Sequence, residues 1–260
     1  MYRDGARKSI WQDEIRKFSM ETDLSHLFDV VIVGGGITGV STALKLQESG
    51  KKCIILEAAN IGFGTTGGTT AHLNDFFDTT FTQAIEDFGL DNAKLYAESG
   101  KDAIAIIETN IDKYKISCDF TRKSAYLFAL DDKQEEQLKN IAEGAAKVGH
   151  EMNYVNEIPF PIPFKEAVLI PEQGHFHPIK YIRGLCEAFI QLGGEILENC
   201  RCEDCNEQDD YVVVKTSRGE IKTKHIVYAT HIPPGINVLH FTNAPYRSYA
   251  MAFTLKDDRY

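Results

Sequence analysis

No apolar stretch in this 260-residue sequence approaches the roughly 18 residues that a membrane-crossing helix needs. Residues 1–27 mix charges without the apolar run of a secretory signal, so a cytoplasmic protein is expected. Positive charge is scarce: 28 basic side chains face 38 acidic ones, a formal net charge of -10 that repels nucleic-acid backbones and anionic lipid. Nucleic acid is therefore not an expected partner. The sequence has no G-x-S-x-G and no G-x-x-x-x-G-K-[ST], which removes the nucleophile elbow and the P-loop. Its six cysteines, without a secretory signal, read as reduced thiols rather than disulfide bridges. Cys200, Cys202 and Cys205 make C-x-C-x-x-C, but no second pair follows to complete a four-ligand zinc site. His150-Glu151 begins like a zinc protease motif, yet Tyr154 stands where its second histidine is needed, and no metal is expected. Internal repeats and low-complexity segments are also missing.

What is present reads as a folded α/β chain. With 43% apolar and 25% charged residues, the length suits one large domain or two modest ones. Residues 1–27, which carry Trp11, read as a surface lead with one short helix and no assigned function. Asp29 to Val33 is a continuous β-branched run, the pattern of a strand buried on both faces. Glycines follow, then a helix over Ile37–Ser49 closed by Gly50, then a second buried strand over Cys53–Leu56. This is a βαβ unit. Helical periodicity runs from Phe81 to Tyr114, with Leu95, Ile104, Ile107 and Ile111 predicted to form one apolar stripe. A strand over Phe120–Leu130 and a charged helix from Asp131 to about Val148 come next. Pro159, Pro161 and Pro163 mark an irregular connection that suits a domain crossing. Beyond it, Pro178 opens a helix to about Leu192. Strands are predicted over Glu195–Cys202, Tyr211–Thr216, His225–Ala229 and Tyr246–Leu255.

Gly34-Gly35-Gly36-Ile37-Thr38-Gly39 fits G-x-G-x-x-G between a predicted strand and a predicted helix. Gly34 permits the tight turn, Gly36 lets backbone N–H groups approach a diphosphate, and Gly39 lets the helix lie close to the sheet. The helix dipole adds its positive end. Glu57, 18 residues beyond Gly39 at the end of the next strand, is placed to accept hydrogen bonds from ribose hydroxyls. Its charge opposes a ribose 2′-phosphate and fits NAD and FAD equally. Gly62 to His72 decides between them, because eleven residues with four glycines and four threonines suit a chain threading past a large cofactor better than a regular helix. That favours flavin.

Together with the βαβ unit and its Glu57, this segment and the later runs His175–Cys205 and Tyr211–Thr230 resemble the FAD-dependent D-amino-acid oxidase, glycine oxidase and sarcosine oxidase superfamily over most of residues 28–255. The resemblance implies a GR2-type flavoprotein, with a Rossmann-like FAD-binding domain over 28–118 and 166–238. A discontinuous α+β substrate domain would cover 119–165 and 239–260. The implied cofactor contacts are Gly34, Gly36, Ile37, Thr38, Gly39, Glu57, Ala58, Thr65, Thr66, Gly67, Thr69, Thr70, Ala71 and His72. Cys202 would join them through its backbone beside the adenine, and Ala229 with Thr230 near the diphosphate. His231 departs from the family, which carries glycine there. Ser9-Ile10-Trp11 resembles a subgroup with a C-terminal Rieske domain, but no cysteine here stands two residues before a histidine, so that domain would lie beyond Tyr260. The family's later glycine-containing strand and helix also have no counterpart, and the chain reads as C-terminally incomplete.

The implied activity is oxidation of a C–N bond in a small-molecule amine or amino acid by hydride transfer to flavin, with no protein nucleophile required and no catalytic residue assigned. Two alternatives stand beside it: a non-catalytic nucleotide-binding fragment of such an enzyme, and an NAD-dependent dehydrogenase. His72 has two readings, a covalent histidyl link to flavin as in dimethylglycine-oxidising relatives, or a neighbour of the ring. Arg247 and Tyr249 are candidates to meet a substrate carboxylate, or else belong to an edge strand. His175 and His177 are expected on one face of a strand, with a structural role favoured. Cys200 and Cys202 are expected on one face as apolar fillers.

Overall fold

The computed structural model describes residues 9–14, 17–18 and 22–232. The strand expected over Tyr246–Leu255, with Arg247 and Tyr249, lies outside the described residues. The chain divides into two compact units at Ala229/Thr230. Of the second unit only Thr230–Ile232 are described: the Thr230 hydroxyl donates to the Ile232 carbonyl at 2.7 Å, and His231 takes φ +66°. That φ lies in the left-handed region that glycine enters without strain, and here a histidine occupies it.

Among the described residues the first unit forms two sheets. Strands β1 (Leu27–Val33) and β2 (Cys53–Leu56) flank helix α1 (Ile37–Glu48), and β3 (His72–Leu73) follows the glycine and threonine segment. Helices α2 (Phe81–Phe88) and α3 (Leu90–Tyr114) lead to β4 (Thr121–Ala129), α4 (Asp132–Val148), β5 (Asn153–Tyr154) and β6 (Glu166–His175). Helix α5 (Pro178–Gln191) then brings the chain to β7 (Glu195–Leu197), β8 (Cys202–Glu207), β9 (Val212–Thr216) and β10 (Gly219–Tyr228).

The larger sheet runs β7-β2-β1-β10-β9-β8, with β1 at its centre in parallel register with β2 and β10. β1 is covered on both of its faces. Val30 and Ile32 pack with Val40, Leu44, Ile182 and Phe189 of α1 and α5, whereas Phe28, Val31 and Val33 pack with Ile54, Leu56, Val214 and Ile221. A strand covered on both faces needs continuous apolar residues, which is the pattern the sequence shows. The smaller sheet pairs β6 antiparallel with β4 along its length and with β3 and β5 at its other edge. Caps fix the helix ends: Asp131 accepts from Gln134 N–H at 2.8 Å to open α4, and Pro178 occupies the first turn of α5.

Three expectations change. The helical stretch expected over Phe81–Tyr114 comprises α2 and α3, divided at Gly89 with φ +81°. Leu95 is 63% exposed while Ile104 is buried; nine residues at about 100° each set them on opposite sides of α3, so they cannot share a stripe. The strand expected over Glu195–Cys202 stops at Leu197, turns through Asn199 at φ +52°, and restarts as β8. Cys200 is therefore buried in that turn and not on a shared strand face with Cys202. β6 pairs with both β3 and β4, so the smaller sheet draws on residues 72–73, 121–129 and 166–175.

Candidate functional site

The turn between β1 and α1 is shaped by missing side chains. Gly34 has φ +115°, and a Cβ there would collide with the Ala229 carbonyl. A Cβ on Gly39 would collide with the Gly34 carbonyl, so α1 rests directly on the turn. Gly34 N–H donates to Leu56 O at 2.8 Å, and Ala229 N–H to Val33 O at 2.8 Å, tying three parallel strand ends together. Gly36 caps α1 without a side chain. The first-turn N–H groups of the helix have no acceptor within the helix and point out of its positive end. One of them already meets an oxygen: Ile37 N–H donates to Thr66 Oγ1 at 3.0 Å.

Glu57 leaves β2 half-buried beside the turn. Its Oε2 accepts from Gly35 N–H at 2.7 Å and its Oε1 from Ala59 N–H at 2.8 Å. Each oxygen keeps a further lone pair for a hydroxyl donor. Ala58 is exposed next to it. The glycine and threonine segment forms a short 3-10 turn over Thr65–Gly68 with Gly67 buried, and leaves Thr65 and Thr70 exposed. Ala71 follows at φ +65°, its N–H donating to Thr69 Oγ1 at 3.2 Å. His72 opens β3 and faces an open cleft of about 470 Å³, lined also by Asn74, Phe76, Phe77, Asp78, Thr79 and Tyr96.

Three groups were not foreseen from sequence. The N-terminal lead is not a plain surface lead, because Trp11 Nε1 donates to Thr69 O at 2.8 Å and Gln12 Nε2 to Phe63 O at 3.2 Å. The Ser9 hydroxyl donates to Gly67 O. Three carbonyls of an irregular segment are thereby satisfied by the lead, which fixes the segment's path. Glu198, 5% exposed, accepts from Phe18 N–H at 2.8 Å and from Ile61 N–H at 2.7 Å, pinning the lead and the loop to one carboxylate. The third group is buried beside the cleft. Asp75 Oδ1 lies 2.7 Å from His150 Nε2 and accepts from Gln173 Nε2 at 2.7 Å, while Asp75 N–H donates to Gln173 Oε1 at 2.8 Å. Burial raises the Asp75 carboxyl, but hydrogen bonds from His150 and Gln173 and the charges of His150 and Lys101 hold it below its ordinary value.

The remaining candidates separate. Cys202 opens β8, half-buried and paired with Thr216, at the sheet edge opposite β7. His175 and His177 do not share a strand face: His175 ends β6, and His177 caps α5 with its ring nitrogen accepting from Lys180 N–H at 3.3 Å. Among the described residues no group of three or more His, Cys, Asp or Glu side chains is arranged to hold a metal ion, and no helix is long and apolar enough to cross a membrane.

Residues 29–259 match the family described as FAD dependent oxidoreductase (DAO). Among curated relatives, the Bacillus subtilis protein YhfW, named for a Rieske 2Fe-2S centre, is 34% identical over 205 residues, covering 79% of this chain and 40% of its own length. The gamma-glutamylputrescine oxidoreductase of Escherichia coli is 30% identical over 207 residues, covering 77% of this chain and 48% of its own. Among solved structures, glycine oxidase from Geobacillus kaustophilus superposes with TM-score 0.69 at 18% identity, over 79% of this chain and 55% of that one. The L-amino acid deaminase of Proteus myxofaciens gives 0.65 at 19% identity, over 81% and 47%. The chain thus spans about half the length of the proteins it matches.

Proposed function

The chain belongs to the FAD dependent oxidoreductase (DAO) family, and from that premise we propose that it holds FAD and takes part in oxidising a C–N bond of a small amine or amino acid. The observation that carries this is the turn at Gly34–Gly39: a backbone surface stripped of side chains, an uncapped helix end, and an oxygen already seated on Ile37 N–H. These residues fit a dinucleotide. In this reading the amides of Ile37, Thr38 and Gly39 take the diphosphate, with Gly34 and Gly36 leaving it room, and Glu57 takes the ribose with Ala58 alongside. Thr65, Thr66, Gly67, Thr69, Thr70, Ala71 and His72 supply hydroxyls and amides further along the cofactor. The Cys202 backbone meets the adenine, and Ala229 and Thr230 stand by the diphosphate. When bound, FAD supplies the acceptor for a hydride from the carbon bearing nitrogen.

The protein's own work is then to bind, orient and exclude water. The lead, through Trp11, Gln12 and Ser9, keeps the threonine segment in place. The cleft beside His72 offers the room for a small substrate. Amine and amino-acid chemistry is favoured because the relatives and neighbours are named as a gamma-glutamylputrescine oxidoreductase, a glycine oxidase and an L-amino acid deaminase. The second reading raised by the sequence, a non-catalytic nucleotide-binding fragment, is separated from this one by the test that follows.

The test is reconstitution. The 260-residue chain, mixed with FAD and desalted, is expected to retain flavin, and an anaerobic panel of amines and amino acids is expected to bleach its visible absorbance. Retention without bleaching by any member supports the fragment. Saturable NADH binding with no retained flavin overturns both in favour of a nicotinamide dehydrogenase. Acid precipitation then decides the His72 readings, with colour released into the supernatant for a free cofactor and held in the pellet for a histidyl link.

A further inference from the structure

Strand β8 carries two thiols that the nucleotide site does not use as thiols. Cys202 and Cys205 are three residues apart, and in a regular strand such positions lie on opposite faces. The pairing of β8 with β9 slips between Cys202 and Asp204, which gives the strand one extra residue there. The slip returns both side chains to one face, where their sulfurs stand 4.0 Å apart. Both residues are half-buried, while Cys53, Cys118, Cys186 and Cys200 are buried. β8 is an edge strand of the larger sheet, so small solutes reach this pair and not the other four. Cys205 Sγ also lies 2.8 Å from the hydroxyl of Tyr228, an exposed side chain of β10. Burial, reinforced by the neighbouring Cys205, pushes the Cys202 thiol up to about 12, so Cys202 rests as the thiol.

We infer that Cys202 and Cys205 form an oxidisable dithiol, at which hydrogen peroxide makes a reversible disulfide across the bulge of β8. One thiol attacks the peroxide: an S–O bond forms, the O–O bond breaks, and the first water leaves with the thiol proton. The second sulfur then displaces the hydroxyl from the sulfenic acid, forming the S–S bond and releasing the second water. The two sulfurs lose two electrons together and the peroxide gains them. Closing the bond draws the sulfurs from 4.0 Å to about 2.05 Å, which tightens a loop only four residues long. A disulfide closed under strain is readily reduced, which suits a switch better than a staple. Because the proposed function sets the Cys202 backbone at the adenine, closure is also expected to weaken FAD retention; that consequence rests on the proposed function, whereas the disulfide does not.

The experiment is peptide mapping of the reduced full chain after hydrogen peroxide and quenching. The expected result is a Cys202–Cys205 linked peptide, a fall in titratable thiols of the denatured protein from six to four, and full return with dithiothreitol. Cys202→Ser and Cys205→Ser should each abolish the link, and Cys200→Ser should leave it. A Cys200–Cys202 link, intermolecular dimers, or sulfinic acid on either cysteine overturns the inference in the wild-type protein alone, without reliance on any variant. Oxidised protein that keeps FAD as tightly as reduced protein removes the link to the nucleotide.

Discussion

At the β1–α1 turn the structure depends on side chains that are missing, and at Asp75, His150 and Gln173 it depends on side chains that are present. Around Gly34 and Gly39 the parts fit backbone to backbone, with carbonyls where a methyl group would have to go. At β6 a buried carboxylate binds an imidazole on one side and a carboxamide on the other. The first region is spoiled by adding atoms and the second by removing them, because close packing punishes overlap while burial punishes an orphaned polar group.

The comparison breaks most sharply at Gly39. Gly39→Val drives two methyl groups at the Gly34 carbonyl and is expected to cost about 4 kcal/mol or more, with FAD retention lost, as read by urea unfolding and desalting. A folded variant that keeps flavin would show that the contact yields. Removing atoms from the second region comes next: Asp75→Ala leaves His150 and Gln173 buried without their acceptor, for about 3 kcal/mol. Asp75→Asn keeps the shape and should cost about 1 to 2 kcal/mol.

The same pair sharpens in acid. The Asp75 carboxyl is held below its ordinary value of 3.8, so its stabilisation is full above that value and lost as pH falls through the lower folded one. Urea midpoints of the wild-type chain should therefore drop below about pH 4, and Asp75→Asn should flatten that slope. Trp11→Phe removes one donor to Thr69 and should cost about 1 kcal/mol, seen as faster proteolysis within residues 62–70 while Gly34 stays protected. Smallest is Glu48→Gln. Burial raises the Glu48 carboxyl, but hydrogen bonds from Lys113, Tyr114 and Lys45 carry it down to about 2. Its contribution is present above about 4.5 and lost as pH falls toward 2, so the variant should differ from wild type above that window and converge below it.

The regions also differ in how far the sequence discloses them. β1, α1 and β2 are written in consecutive residues, as a β-branched run, three spaced glycines and a carboxylate, so one window carries both the elements and their chemistry. Asp75, His150 and Gln173 share no window, and each alone looks like an ordinary polar residue; only the smaller sheet brings them together. β8 is hard to read from sequence because Cys-Glu-Asp-Cys-Asn-Glu lacks the apolar alternation of a half-buried strand, a composition that suits a sheet edge. In the lead, Trp11 works through one N–H aimed at a carbonyl, a contact with no sequence pattern.

Leu27 pairs with Lys222 and Val33 with Tyr228, so the central strand waits for one encoded near the far end of the described chain. During synthesis at about 5–20 residues per second, the interval before that neighbour emerges is on the order of tens of seconds. Throughout it, the nascent polypeptide carries an apolar β1 with one flank open, a target for ribosome-associated chaperones. The floor of the Gly34 turn, Ala229, is delivered later than every residue of the paired strands β1, β2 and β10.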